Sequence, residues 1–353
     1  MEHPSSESSR TSTSSHYNVI IVGAGLAGLS VARGLKGMDG VLLVDKRPIG
    51  SDPNPPHETL LPYIEQMGYE SAVVQRFGSM DIRTSTGTYT MKFFQPHCTL
   101  NYVKLCELIY SGSDAGFRLG TAQPVDNRRL KVDGEILEAE FLIDCSGWRS
   151  LVSSALAGSS FGPIRMTSAI STTVRRPEDI DTPTYFFDSR IIQRGGGFVI
   201  PFGNQALVGL ASYVGQEDLR PNLSRLLKAA RAEPGVVSRD FIPNHGLRPL
   251  VVGNVFAVGD AAGQSKPVRG KGILRSTLYG LKCGQLIRQV LDGDKSLEEA
   301  KRDYMDYVEK EAPIYSLMLG LQEFLSTAPS SMQTFVAAGI ANDASSFFWD
   351  KMY

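Results

Sequence analysis

Tyr17-Asn-Val-Ile-Ile-Val-Gly23-Ala-Gly25-Leu-Ala-Gly28 decides the fold. Its first six residues are mostly β-branched and nearly free of polar breaks, as expected of a strand buried on both faces. A GxGxxG follows, and a helical pattern then runs to about Lys36. In that position each glycine has a purpose. Gly23 permits the tight turn, Gly25 lets backbone approach a pyrophosphate, and Gly28 lets helix pack close to strand. The helix N-terminus, with Ala24 and Ala27 beside it, would hold the anion on free N–H groups. A second buried strand, Val41-Leu-Leu-Val-Asp45, completes a β-α-β unit, so the expected fold is α/β with a parallel sheet. Asp45, with Lys46 next to it, ends that strand. A carboxylate there can accept both ribose hydroxyls of an adenosine and repels a 2′-phosphate, which favours FAD or NAD over NADP.

A second motif lies near the other end of the chain. Val255-Phe-Ala-Val-Gly259-Asp260-Ala261-Ala-Gly263 continues as Gln264-Ser-Lys266-Pro-Val-Arg269-Gly270-Lys271-Gly272-Ile273. A buried strand delivers Asp260, which can accept a hydrogen bond from a sugar-alcohol hydroxyl. Gly270 and Gly272 precede a long helix over 272–290, whose N-terminus can stabilise negative charge on a reduced isoalloxazine. NAD has no ribityl chain, so the two motifs together point to FAD.

Composition excludes other classes. The 353 residues carry 36 Lys plus Arg against 37 Asp plus Glu, so no basic field exists to hold nucleic acid. Four cysteines stand far apart with no CxxC, which argues against a disulfide scaffold or a metal centre. A reduced, cytoplasmic setting is expected. No run of about 18 apolar residues suggests a membrane span.

GDAAG followed by PxxGxGI resembles the flavin-binding motif of the para-hydroxybenzoate-hydroxylase-like FAD oxidoreductases. Phe141-Leu-Ile-Asp144-Cys-Ser-Gly147-Trp-Arg-Ser150 is similar to the DxSGxxS form of the geranylgeranyl-reductase and flavin-halogenase branches. The wording GDAAGQxKPxxGxGI, and the tail from Leu297 to Tyr304, resemble the geranylgeranyl reductases most. His57-Glu-Thr-Leu-Leu-Pro62 is like a halogenase stretch, but the WxWxIP motif is lacking: Gly197-Phe-Val-Ile-Pro201 stands in its place with no tryptophan. The reductase pattern is also incomplete. The loop after the second strand has no cysteine, and Asn101 and Tyr102 stand where the family often has an arginine under the pyrophosphate.

The resemblance implies an FAD-dependent reductase that saturates C=C bonds of a prenyl (geranylgeranyl-type) lipid or related isoprenoid. The alternative is an FAD-dependent monooxygenase that hydroxylates a small molecule. No second GxGxxG exists, so electrons would come from transient NAD(P)H or a ferredoxin.

The expected organisation is a polar tail over 1–16, a Rossmann-type FAD-binding domain over 17–57, 98–160 and 250–292, and a smaller antiparallel-sheet substrate domain over 58–97 and 161–249. A helical region over 293–353 completes it. Within the chain, 80–94 reads as a hairpin around Thr86-Gly87, 58–69 as a short helix, and 165–175, 183–194 and 196–213 as strands. Phe186, Phe198, Phe202 and Tyr213, with Phe187, are the expected substrate wall. Tyr185, His57 and His97 are candidate proton donors by chemistry, and no catalytic residue is assigned. Lys266, Arg269, Lys271 and Arg275 could meet a phosphate. Met318, Leu319, Leu321, Phe324 and Leu325, with Phe347, Phe348 and Trp349, suit either peripheral membrane contact or internal packing.

Overall fold

The computed structural model describes residues 15–51, 57–158, 166–215, 218–243, 246–268, 270–329 and 332. Residues 1–14 of the expected tail, Arg269, and the aromatic residues 347–349 lie outside them.

The chain opens with β1 (Ser15–Val22), α1 (Leu26–Gly34), β2 (Val41–Asp45), β3 (His57–Leu60), α2 (Leu61–Gln66), β4 (Val73–Thr84) and β5 (Thr88–Leu100). Then come α3 (Tyr102–Ser111), β6 (Gly116–Leu119), β7 (Ala122–Pro124), β8 (Arg129–Val132), β9 (Glu135–Asp144) and α4 (Leu151–Ala157). A run of strands follows: β10 (Met166–Arg175), β11 (Thr184–Phe187), β12 (Gly195–Phe202) and β13 (Gln205–Ser212). The last part holds α5 (Arg220–Ala230), β14 (Val237–Pro243), β15 (Val251–Val252), β16 (Val255–Ala257), α6 (Ile273–Leu291), α7 (Leu297–Glu309) and α8 (Ala312–Thr327).

Two eight-stranded sheets result. The first has the path β15-β16-β9-β1-β2-β6, with β16, β9, β1, β2 and β6 parallel. β1 shows why its sequence is continuously apolar. Val19 and Ile21 face one core with α1, α3 and α6, while Ile20 and Val22 face another with β8 and α4. The second sheet runs β14-β10-β13-β12-β11-β4-β5-β3 and is antiparallel except at β11–β4. One face of it packs under α5 through Phe186, Val199, Val208, Leu210, Leu223 and Leu226. The other face turns Met80, Ile82, Met91, Tyr185 and Phe187 toward Leu274 and Leu278 of α6. All four cysteines are free and buried.

Several boundaries differ from the sequence reading. The segment 58–69 is not one helix. Its first residues join β3, because Glu58 to Leu60 pair with Thr99 to His97 of β5, and only Leu61–Gln66 is helical. His57 and residues 98–100 therefore belong to the second sheet. The strand expected over 183–194 ends at Phe187, where Asp188 turns the chain by accepting from Arg190. The helical tail is interrupted at Lys310 and Glu311, between α7 and α8, and Pro313 follows in the first turn of α8, where no N–H is missed. In α8, Met318 and Leu325 are buried, whereas Leu317 and Phe324 are exposed. Among the described residues no helix is long and apolar enough to cross a membrane.

α1 and α6 pack backbone on backbone. A Cβ on Gly284 would collide with the Val31 carbonyl, and one on Gly34 would stand 2.6 Å from the Leu281 carbonyl. Backbone faces backbone here, so nothing can swing aside. We expect Gly284→Val to destabilise the protein by about 3 kcal/mol or more, the upper range for overpacking. Thermal and urea denaturation beside wild type will check it; an unchanged melting temperature would contradict this packing.

Candidate functional site

Three loops separated by more than a hundred residues each meet at the C-terminal ends of the parallel strands. This is where open α/β sheets bind ligands. The first is the turn from β1 into α1. Gly23 has φ +108°, and a Cβ there would collide with the Cys145 carbonyl. A Cβ on Gly28 would collide with the Gly23 carbonyl. Both glycines are thus needed by the fold itself. Gly25 differs: a Cβ there would have nothing within 4 Å. It is the N-cap of α1, and no side chain caps that terminus. The first N–H groups of α1 have no intrahelical partner. Asp45 reaches back to this turn, with Oδ2 accepting from Ala24 N at 2.8 Å and Oδ1 from Arg47 N at 2.9 Å. Lys46 is exposed beside it.

The second loop leaves β16. Gly259 has φ +71°, and an added Cβ would lie 2.9 Å from Ala27 Cβ, so this loop presses on α1. Ala261 is fully buried. Asp260 accepts from the Ser265 hydroxyl. Desolvation pushes its carboxyl above the usual carboxylate range, while Ser265 and the Arg248 guanidinium pull it down. A Cβ on Gly272 would stand 3.9 Å from Asp260 Oδ1 and 2.5 Å from Ser265 Oγ. The Gly270–Gly272 stretch therefore lies against the Asp260 turn, and Ile273 anchors the start of α6 against the main core.

The third motif supports the second. Asp144 does not face the ligand side. Its Oδ2 accepts from Val152 N at 3.0 Å and Ser153 N at 2.7 Å, capping α4, and its Oδ1 accepts from Ser146. Ser150, at φ +46°, donates to the Ala261 carbonyl at 2.7 Å. Arg248 donates to Ser150 Oγ at 2.7 Å and to the Trp148 carbonyl at 2.8 Å. The C-terminal helices brace the same turn. Gln264 Oε1 accepts from Gly259 N at 2.7 Å, and its Nε2 donates to Tyr304, which donates to the Ala257 carbonyl at 2.8 Å. Tyr315 donates to the Gln264 carbonyl.

The expected substrate wall is corrected. Phe186 points to the α5 side, 3% exposed among Leu223 and Leu226, because β11 alternates and Tyr185 and Phe187 take the opposite face. Phe198 is cross-strand from Tyr185 and shares its face. It lies over Gly209, where a Cβ would stand 2.8 Å from Ser171 Cβ. Phe202 and Tyr213 sit at opposite ends of the β12–β13 hairpin, so the four residues form no single wall. The side chain of His57 lies outside the described set.

A residue assigned no role of its own from the sequence ties this face to α6. Glu58, 3% exposed, holds His97 Nδ1 at 2.9 Å on Oε1. Its Oε2 accepts from Tyr185 OH at 2.8 Å and Lys271 Nζ at 3.0 Å. His97 is itself buried and stacked on Phe93 at 3.6 Å. Two of the three candidate proton donors are thus gathered on one carboxylate. Its sequence signal was a lone acid before Thr59-Leu60-Leu61, next to a proline-rich loop and within the halogenase-like stretch. The expected phosphate-binding cations are partly occupied as well. Lys266 and Arg275 pair with Glu311 at 3.3 and 2.8 Å. Asn101 caps α3 by accepting from Lys104 N at 3.0 Å, so it acts on the helix and supplies no charge.

No protein-family model matches the chain. Solved structures do. A geranylgeranyl bacteriochlorophyll reductase-like protein from Thermoplasma acidophilum superposes with a TM-score of 0.81 at 17% identity, over 93% of this chain and 92% of that one. A flavin-dependent brominase gives 0.74 at 16% identity, over 96% of this chain and 93% of that one. A probable FAD-dependent monooxygenase from Pseudomonas aeruginosa gives 0.72 at 17%, over 92% and 99%. Nearly the whole chain is shared with each, and at these identities what is shared is the fold. It is the fold of these flavin- and FAD-dependent enzymes.

Proposed function

We propose that the chain is an FAD-dependent oxidoreductase that saturates C=C bonds of a prenyl (geranylgeranyl-type) lipid or a related isoprenoid. The residues present fit FAD. Gly25 leaves open space at an uncapped helix N-terminus for a pyrophosphate, Asp45 stands at the adenosine end, and Asp260 adjoins Gly272 at the other. When reduced, FAD supplies a hydride equivalent. The chain's own part is to hold an apolar substrate, exclude water and place a proton.

The observation that carries the choice of substrate is the face of the second sheet turned to α6. Tyr185, Phe187, Met80, Ile82 and Met91 pack there with Leu274 and Leu278, with Phe198 beside Tyr185. Buried Met80, Ile82 and Met91 make this layer apolar, as a hydrocarbon substrate requires, and of its two phenols, Tyr63 and Tyr185, the second donates to Glu58. The likeness in fold to a geranylgeranyl reductase-like protein supports this reading. Hydroxylation of a small molecule is the second reading, favoured by Ser171 under the same aromatic face and by the likeness to a monooxygenase. Electrons would come from transient NAD(P)H or a ferredoxin.

Oxygen separates the readings. The protein, reduced anaerobically and given a geranylgeranyl lipid, should yield a product with two more hydrogens per saturated bond by mass spectrometry. Product that forms only with stoichiometric O₂ consumption would favour hydroxylation. The cofactor assignment has its own test. Gly25→Val should fold with a near-normal melting temperature, because its side chain enters open space, yet lose flavin, with affinity for FAD falling at least about a hundredfold, or about 2.7 kcal/mol. Gly28→Ala should instead lose the fold. Equal FAD retention in wild type and Gly25→Val would remove the cradle assignment.

A further inference from the structure

Cations at a helix N-terminus oppose the positive end of its dipole. The head of α6 nevertheless gathers Lys266, Lys271 and Arg275. It has no acid in its first turn, and Gly272 caps it without a side chain. Two acids from other elements answer these charges. Glu311 takes Lys266 and Arg275. Glu58, from the second sheet, takes Lys271 with a side chain 1% exposed. Tyr185 shares the oxygen that Lys271 uses, and His97 occupies the other.

A surface ion pair contributes little and is held loosely. This one joins the second sheet to the loop before α6 and is largely dry, so its charges act over short distances with little screening. Lys271 also stands between Gly270 and Gly272, and the latter lies against the Asp260 turn. Given the FAD reading above, we infer that the Glu58–Lys271 pair sets the reduction potential of the bound cofactor, with Glu58 the positioning residue for Lys271. The pair places opposite charges at the head of α6, whose N-terminus would face the negative charge of a reduced flavin and no such charge on an oxidised one. Lys271 favours the reduced form; Glu58 opposes it and fixes where the ammonium stands. Tyr185 and His97 hold Glu58 in turn.

The two charges therefore predict shifts of opposite sign. In redox titrations of the FAD-loaded protein, Lys271→Met should weaken affinity for the reduced relative to the oxidised cofactor about tenfold, lowering the potential by about 30 mV. Glu58→Gln should shift that ratio by a similar factor the other way. Lys271→Arg should stay near wild type. The double variant Glu58→Gln with Lys271→Met restores charge balance, should fold even where a single change leaves a buried charge unpaired, and should return toward the wild-type potential. Affinity for oxidised FAD should change less than about threefold, as read by flavin fluorescence. Shifts of the same sign in both single variants, no shift in either, or a double variant farther from wild type than both would overturn the inference. A wild-type protein that binds no FAD would overturn it together with the cofactor reading. One that binds FAD but leaves isoprenoid double bonds intact would overturn the reductase reading alone.

Discussion

The structure depends on backbone touching backbone along α1. This helix is pressed between β1, the Asp260 turn and α6, and at each contact a glycine removes the obstacle. Gly28 passes the Gly23 carbonyl, Gly280 meets the Ala27 carbonyl, and Gly34 and Gly284 face each other. Interiors packed to crystal-like density transmit such constraints. Because α1 cannot move outward, its N-terminus is fixed against the β16 loop, and residues some 230 positions apart in sequence share one site. A ligand spanning both loops needs that fixed separation more than it needs any single hydrogen bond.

A second constraint is electrostatic and joins the second sheet to the loop before α6. Glu58 is buried with three polar neighbours, a satisfied arrangement whose removal by halves is costly. Apolar burial between the second sheet and α6 is non-directional and would tolerate sliding. The carboxylate fixes orientation, because Tyr185 from β11, His97 from β5 and Lys271 from the loop before α6 must arrive together. The aromatic face of the second sheet is thereby held in register with the glycines at the head of α6.

Local features of this chain were legible wherever chemistry depends on sequence neighbours. The β-α-β opening, both glycine motifs, Asp45, Asp260 and the hairpin at Thr86-Gly87 follow from periodicity and spacing. What was not legible depends on which way a strand faces or on partners far away. Phe186 and Tyr185 are adjacent, and strand alternation sends them to opposite faces; a one-residue difference in register exchanges their surroundings. Glu58 was read as part of a helix, since nothing nearby reveals that it pairs with Thr99, on a strand 41 residues on. The cations at 266, 271 and 275 looked like an open rim because Glu58 and Glu311 lie far away in sequence.

The Asp144–Ser150 motif shows how a signature can be specific through its own hydrogen bonds. Its aspartate spends its hydrogen bonds on the chain's own N–H groups, capping α4 and the Ser146 turn. Ser150 adopts the left-handed region, which a non-glycine residue enters only when its surroundings insist. Here they do: its hydroxyl donates to the Ala261 carbonyl and accepts from Arg248. Arg248 also lies close enough to Asp260 to favour its ionised form. One strained serine thus connects the end of β9 to the carboxylate at the far end of the ligand site. The side chains of this motif support the Gly259–Gly263 turn, and on the proposed reading contact with the cofactor falls to the turn itself.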